Sequence, residues 1–84
     1  MIVFTLYSRP GCHLCDEMKT VVQRAARAAA ARVTIDEIDI STDPGLEARY
    51  GLEIPVLMVG GKKIAKYRVE EEVLMRALAA RKQG

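Results

Sequence analysis

Ile2-Val3-Phe4-Thr5-Leu6-Tyr7-Ser8-Arg9-Pro10-Gly11-Cys12-His13-Leu14-Cys15 sets a cysteine pair between two patterns of different period. The first six residues are nearly continuous in apolarity and rich in β-branched and aromatic side chains, which suits an inner strand covered on both faces. Ser8-Arg9-Pro10-Gly11 breaks the run, Pro and Gly together marking a turn. From about His13 the period becomes helical. Met18, Val21, Val22, Ala25, Ala26 and Ala29 recur at helical spacing, while Lys19, Gln23, Arg24 and Arg27 fall on other faces. The cysteines therefore stand at a strand-to-helix junction. A helix start offers unpaired N–H groups and the positive end of the helix dipole, and both favour a thiolate over a thiol. The thiolate is the species that attacks disulfides. Two thiols at i and i+3 share one face of a turn, close enough to close a disulfide.

Eighty-four residues make one domain, taken as 1–84, with room for one small core. Half the residues are apolar and 29% charged, an ordinary balance for a soluble globular protein. A net charge of +2 is too small to call for nucleic acid or a membrane surface, and the lack of Trp argues against a base-stacking platform. Met1 leads directly into Ile2-Val3-Phe4 without a basic leader, and no apolar stretch nears the ~20 residues that span a bilayer. The cytoplasm is the expected compartment, where structural disulfides are rare. A staple role for Cys12 and Cys15 is weak on energy as well, since so short a loop is worth at most about 2 kcal/mol.

The Ala-rich segment Ala25 to Ala31 extends the first helix, with Asp16 and Glu17 at its start and Arg27 and Arg32 near its end complementing the dipole. Val33 to Ile40 reads as a strand whose alternation slips at Asp36-Glu37, a place for a bulge or a register wobble. Asp43 caps a short helix that has Pro44 in its first position and stops at Gly51. Val56 to Val59 is a short apolar strand. Gly60-Gly61 turns it into Lys62 to Tyr67, a polar/apolar strand suited to a sheet edge. A last helix, from about Val69 to Lys82, is expected to turn Val73, Leu74, Ala77 and Leu78 inward. The order βαβαββα implies an α/β chain with a mixed four-stranded sheet and helices on both faces.

This order, with CxxC at a helix start and Ile54-Pro55 before a short strand, resembles the thioredoxin fold. The small size, with no extra amino-terminal βα unit, is more similar to glutaredoxins. Tyr7 to Cys15 looks closest to a glutaredoxin-like group of small bacterial proteins, and the resemblance covers essentially the whole chain. It implies that Cys12 is the exposed nucleophile and Cys15 the more buried resolving thiol. It also implies a cis Pro55 facing the cysteines and an Ile54 backbone offered to an extended peptide or thiol substrate. The residues themselves support only a turn before Pro55, because the residue before a proline is pushed extended. Three positions depart from the relatives: Gly11 stands where thioredoxins carry Trp, and His13-Leu14 replaces the Pro-Tyr usual in glutaredoxins. Glutaredoxins hold glutathione with a glycine-rich turn and an acidic pair after the last strand. The comparable stretch here is Lys66-Tyr67-Arg68-Val69-Glu70, in which Tyr67 and Arg68 are expected to crowd or recharge that pocket.

The implied function is that of a small monomeric thiol–disulfide oxidoreductase with no bound cofactor. Its substrate would be a protein disulfide or a low-molecular-weight thiol, and glutathione or a thioredoxin-reductase-type donor would restore the dithiol. The substrate-binding set is Ile54, Pro55, Arg9, His13 and Tyr67, with Cys12 and Cys15 catalytic. Arg9 adds positive potential, and His13 can steady the thiolate when protonated or relay a proton. Asp16 and Glu17 work against the thiolate. Blander readings stand beside these: two inert core thiols, a solvated His13 and Arg9, and a lysine edge at Lys62, Lys63 and Lys66 that only discourages strand pairing. A metal centre would have just Cys12, His13 and Cys15, with no second CxxC, so no metal is expected. The rival functions are a non-catalytic docking or assembly protein on the same fold, and metal or iron–sulfur delivery through Cys12 and Cys15.

Overall fold

The apolar run at the amino terminus forms β1 (Ile2–Ser8), and the helical period forms α1 (His13–Ala28). After them come β2 (Val33–Asp39), a 3₁₀ turn at Ile40–Thr42, α2 (Pro44–Tyr50), β3 (Val56–Val59), β4 (Lys62–Lys66) and α3 (Glu71–Lys82). The computed structural model describes residues 1–82; Gln83 and Gly84, the end of the expected domain, lie outside the described residues. The sheet order is β2-β1-β3-β4, with β1 and β2 parallel and the other pairs antiparallel. This is the mixed four-stranded α/β sheet that the element order implies.

The two central strands, β1 and β3, alternate their residues between two cores. Phe4 and Leu6 of β1 join Leu57 and Val59 of β3 under Met18, Val22 and Ala25 of α1 and Leu74 and Leu78 of α3. Tyr7 and Met58, one position out of phase, turn to the other face and meet Ile40, Tyr50 and Val56, with Leu46 of α2. The Tyr7 and Tyr50 rings stack there at 4.4 Å between centroids. Helices thus cover both faces, α1 and α3 on one and α2 on the other. Phe4, Leu6, Leu57 and Leu74 are wholly buried, and each such side chain stabilises the fold by about 1.5–3 kcal/mol.

Local chemistry sets the ends of the elements. Asp43 accepts hydrogen bonds from the N–H groups of Gly45 (2.9 Å) and Leu46 (3.2 Å), with Pro44 in the first helical position of α2, as its sequence implies. The Ala-rich run does not carry α1 to Ala31. Ala30 takes a left-handed φ of +52°, its N–H donates to Arg27 O at 3.1 Å, and the Ala31 N–H donates to Ala26 O at 2.9 Å. This pair of bonds is a Schellman cap; it stops the helix although every residue in it favours continuing.

Three expectations are corrected. The β1–β2 register runs unbroken from Ile2↔Val33 to Ser8↔Asp39, so there is no bulge at Asp36-Glu37. The apparent slip arises because Glu37 stays on the Val33/Ile35 face and finds polar partners there; the irregularity lies instead between β3 and β4, at Leu57/Met58. Tyr67 lies outside β4, in a turn at φ +69°. Val73 is 38% exposed, and Met75 packs on the core in its place. Leu74 and Leu78 define the buried stripe of α3, and Val73 sits off its edge.

Candidate active site

Four residues connect β1 to α1, and they form a reverse turn. The Cys12 N–H donates to Arg9 O at 3.3 Å, with Pro10 and Gly11 between them. Gly11 has φ +79°, and Pro followed by a left-handed Gly is the residue order of a type II turn. The turn delivers Cys12 to the N-cap of α1 in an extended conformation, φ −87° and ψ 105°. Cys12 Sγ takes the part usually played by a Ser or Asp oxygen, accepting the Cys15 N–H at 3.1 Å. The two cysteines are joined as a disulfide with Cα atoms 5.2 Å apart. Cys12 is half-buried and Cys15 only 1% exposed, so the first residue of the pair is partly open to solvent and the second is closed in by the core.

The strand register brings the second half of the site alongside. Tyr7 pairs with Val56 at the end of the β1–β3 ladder, which places the Ile54-Pro55 loop beside the start of the CxxC turn. The Ile54-Pro55 bond is cis, and Pro55 is buried. Tyr67 is held against this loop at two points: its N–H donates to Pro55 O at 2.9 Å and its hydroxyl to Leu52 O at 2.9 Å. The Ile54 N–H already donates to Tyr50 O at 3.1 Å, so what Ile54 can offer a substrate is its carbonyl. His13 is exposed in the first turn of α1.

Arg9 is also a structural tie. Its guanidinium pairs with Glu47 and reaches Gly51 O at 3.4 Å, tying the CxxC turn to α2. It also lies near enough to Asp39 to help hold that carboxyl below the ordinary carboxylate range, after the larger contributions of the Ser41 hydroxyl and N–H. The corner is tight: a Cβ on Gly51 would lie 2.5 Å from Glu47 O and 3.3 Å from Arg9 Nη2.

A polar network under α1 is not apparent from local sequence patterns. Ser8 is 4% exposed and its hydroxyl donates to Glu37 at 3.0 Å. Glu37 in turn receives Lys19 Nζ at 2.7 Å. These bonds hold the Glu37 carboxyl below its ordinary range, the Lys19 hydrogen bond contributing most, and raise the Lys19 ammonium. Lys19 is one helical turn beyond Cys15, so the network fastens the segment that carries the buried sulfur. The one available signal is Glu37 itself, a carboxylate in phase with Val33 and Ile35.

A cysteine pair at a helix start, a cis proline just before the adjoining strand β3 and a β2-β1-β3-β4 sheet form one arrangement. The glutaredoxin-like domain profile (DUF836) matches residues 3–79 of it. The chain belongs to the glutaredoxin-like domain family. A glutaredoxin-like protein of Dictyostelium discoideum is 33% identical over 72 residues, 81% of this chain and 67% of that protein. An X-ray structure of a protein from X. campestris is 33% identical, with a TM-score of 0.69 over 92% of this chain and 96% of the other. A thioredoxin from Halobacterium salinarum, 20% identical, superposes with a TM-score of 0.59 over 94% of this chain and 73% of its own, and shares the fold. This glutaredoxin-like domain thus carries its CxxC pair, Cys12 and Cys15, on a thioredoxin-type frame. Among the described residues, no group of three or more His, Cys, Asp or Glu is placed to hold a metal ion, and no helix is long and apolar enough to cross a membrane.

Proposed function

We propose that this glutaredoxin-like chain is a thiol–disulfide oxidoreductase in which Cys12 attacks and Cys15 resolves. The observation that carries the reading is the asymmetry of the pair: a half-buried Cys12 whose sulfur receives an N–H at the helix start, and a Cys15 that solvent does not reach. A donor aimed at a sulfur favours its charged form, so the same N–H would support a Cys12 thiolate once the disulfide is reduced. The thiolate attacks one sulfur of a substrate disulfide. A Cys12–substrate disulfide forms, and the first substrate thiolate leaves and takes up a proton. Cys15 then gives up its proton and attacks Cys12 Sγ, closing Cys12–Cys15 and releasing the second substrate thiolate. The substrate gains two electrons and two protons. A thiol donor, glutathione or a reductase of the thioredoxin-reductase type, reverses the change in the protein.

Substrate trapping tests the assignment. Cys15→Ser is expected to accumulate mixed disulfides through Cys12, and Cys12→Ser to accumulate none. Equal trapping by the two variants, or none by either, overturns the roles.

A further inference from the structure

We propose that a cleft beside the dithiol receives a single basic side chain of a protein substrate, so that disulfides flanked by Lys or Arg are exchanged faster than those flanked by acids. The proposal deepens the oxidoreductase reading and rests on it for its purpose. The cleft, ≈ 160 Å³, lies between the first two turns of α1 and the corner that joins β4 to α3. Small-molecule sites usually occupy roughly 300–1,000 Å³, so this space suits one side chain better than a whole tripeptide thiol. Its position is right for a residue flanking the reacting sulfur. Leu14, between the two cysteines, forms one wall, and Tyr67, bonded to Pro55, borders the other.

The lining is graded from apolar to acidic. Leu14, Val21 and Val69 are half-buried, whereas Glu17 and Glu70 are exposed at the mouth. Neither carboxylate takes part in any ion pair or side-chain hydrogen bond among the described residues. The neighbouring Glu71 and Glu72 are answered by Arg24 at 3.7 Å and Arg76 at 3.0 Å; Glu17 and Glu70 are not. An apolar trough ending in two unpaired carboxylates matches a side chain with a long methylene stem and a cationic head. It opposes the carboxylates of glutathione. Arg68 also lines the cleft without pairing to either glutamate, so it acts as a resident competitor whose removal should sharpen the preference.

Peptides of one sequence, with Lys, Gln or Glu two residues from a central half-cystine capped by 2-mercaptoethanol, provide the test. The Lys peptide is expected to be reduced about five- to tenfold faster than the Glu peptide at low salt, the difference falling below about twofold at ~0.5 M salt. Glu17→Gln with Glu70→Gln should erase the preference, read as the ratio of the Lys-peptide to the Glu-peptide rate within each protein, so that any change in Cys12 reactivity cancels. Equal rates for Lys and Glu peptides, or a preference that survives the double substitution, overturns the proposal. The same peptides with Ser at the centre separate it from the redox reading, because their binding needs no exchange chemistry. If no peptide is reduced, the oxidoreductase reading falls. Amide shifts at Leu14, Val21 and Val69 on titration with the Lys–Ser peptide then still support the basic-side-chain site, and their absence overturns it.

Discussion

Ala30→Gly is expected to stabilise the protein, against the usual rule that Gly near a helix weakens it. Ala30 closes α1 at φ +52°. Both capping bonds, Ala30 N–H to Arg27 O at 3.1 Å and Ala31 N–H to Ala26 O at 2.9 Å, are already made, and Gly changes neither. Ala30 is exposed, so little apolar burial is lost with its methyl group. A left-handed conformation costs an L-residue roughly 1–2 kcal/mol. Gly escapes that cost but gives back about 0.4–1 kcal/mol through the extra freedom of the unfolded chain. With the middle of each range, the balance is a gain of about 0.8 kcal/mol, or a rise in Tm of roughly 3–6 °C for a domain of this size. Thermal unfolding of the oxidised protein, followed by circular dichroism, measures it. Ala28→Gly is the control: Ala28 is equally exposed but helical, and there Gly should cost about 0.8–1 kcal/mol. Opposite signs for substitutions two residues apart are the signature of the cap. A Tm for Ala30→Gly at or below that of the parent refutes the reasoning.

Two further predictions concern the ties that hold the CxxC segment. Gly51→Ala should destabilise by about 1–3 kcal/mol in chemical denaturation although φ is an ordinary −54° there, because the new Cβ would lie 2.5 Å from Glu47 O; an unchanged denaturation midpoint would show that the corner yields freely. Glu37→Gln should remove a contribution of about 0.2–1 kcal/mol, limited by the partial exposure of the pair, with a defined pH window. The folded Glu37 value lies below the ordinary 4.5 and the folded Lys19 value above the ordinary 10.5. The difference between parent and variant should therefore be flat between those limits, shrink as acid takes the pH down through the folded Glu37 value, and shrink again as alkali takes it up through that of Lys19. Urea unfolding across pH measures it, and a difference that grows below pH 4.5 would contradict the assignment.

Much of the site was legible because its signals are local. The change of period at Cys12 located the helix start, and a sulfur at that position meets free N–H groups whatever the rest of the chain does. Pro10-Gly11 marked the turn that now carries a left-handed Gly11. The Arg9 contact with Glu47 crosses 38 positions of sequence and the Ser8 contact with Glu37 crosses 29. No window of neighbouring residues contains both partners of either. Arg9 therefore read as a free cation near the thiolate, and Glu37 as a fault in the strand. Tyr67 read as the end of β4 because its aromatic side chain favours strands, while a left-handed φ of +69° and the Arg68 N–H bonded to Lys66 O at 2.8 Å turn the chain there.

The sequence by itself determined the placement of the cysteine pair, the α1 stripe of Met18, Val22 and Ala25, the Asp43-Pro44 helix entry and the βαβαββα order. Each of these depends on conformational preferences and periodicities that act within a few residues. Only the tertiary structure decided which face each strand turns to each helix, where α1 stops, and which charges find partners. The faces and the charge partners are set by packing between elements far apart in the chain, and the end of α1 by a backbone cap that its alanines do not announce. Those choices separate a partly exposed Cys12 from a Cys15 closed in by the core.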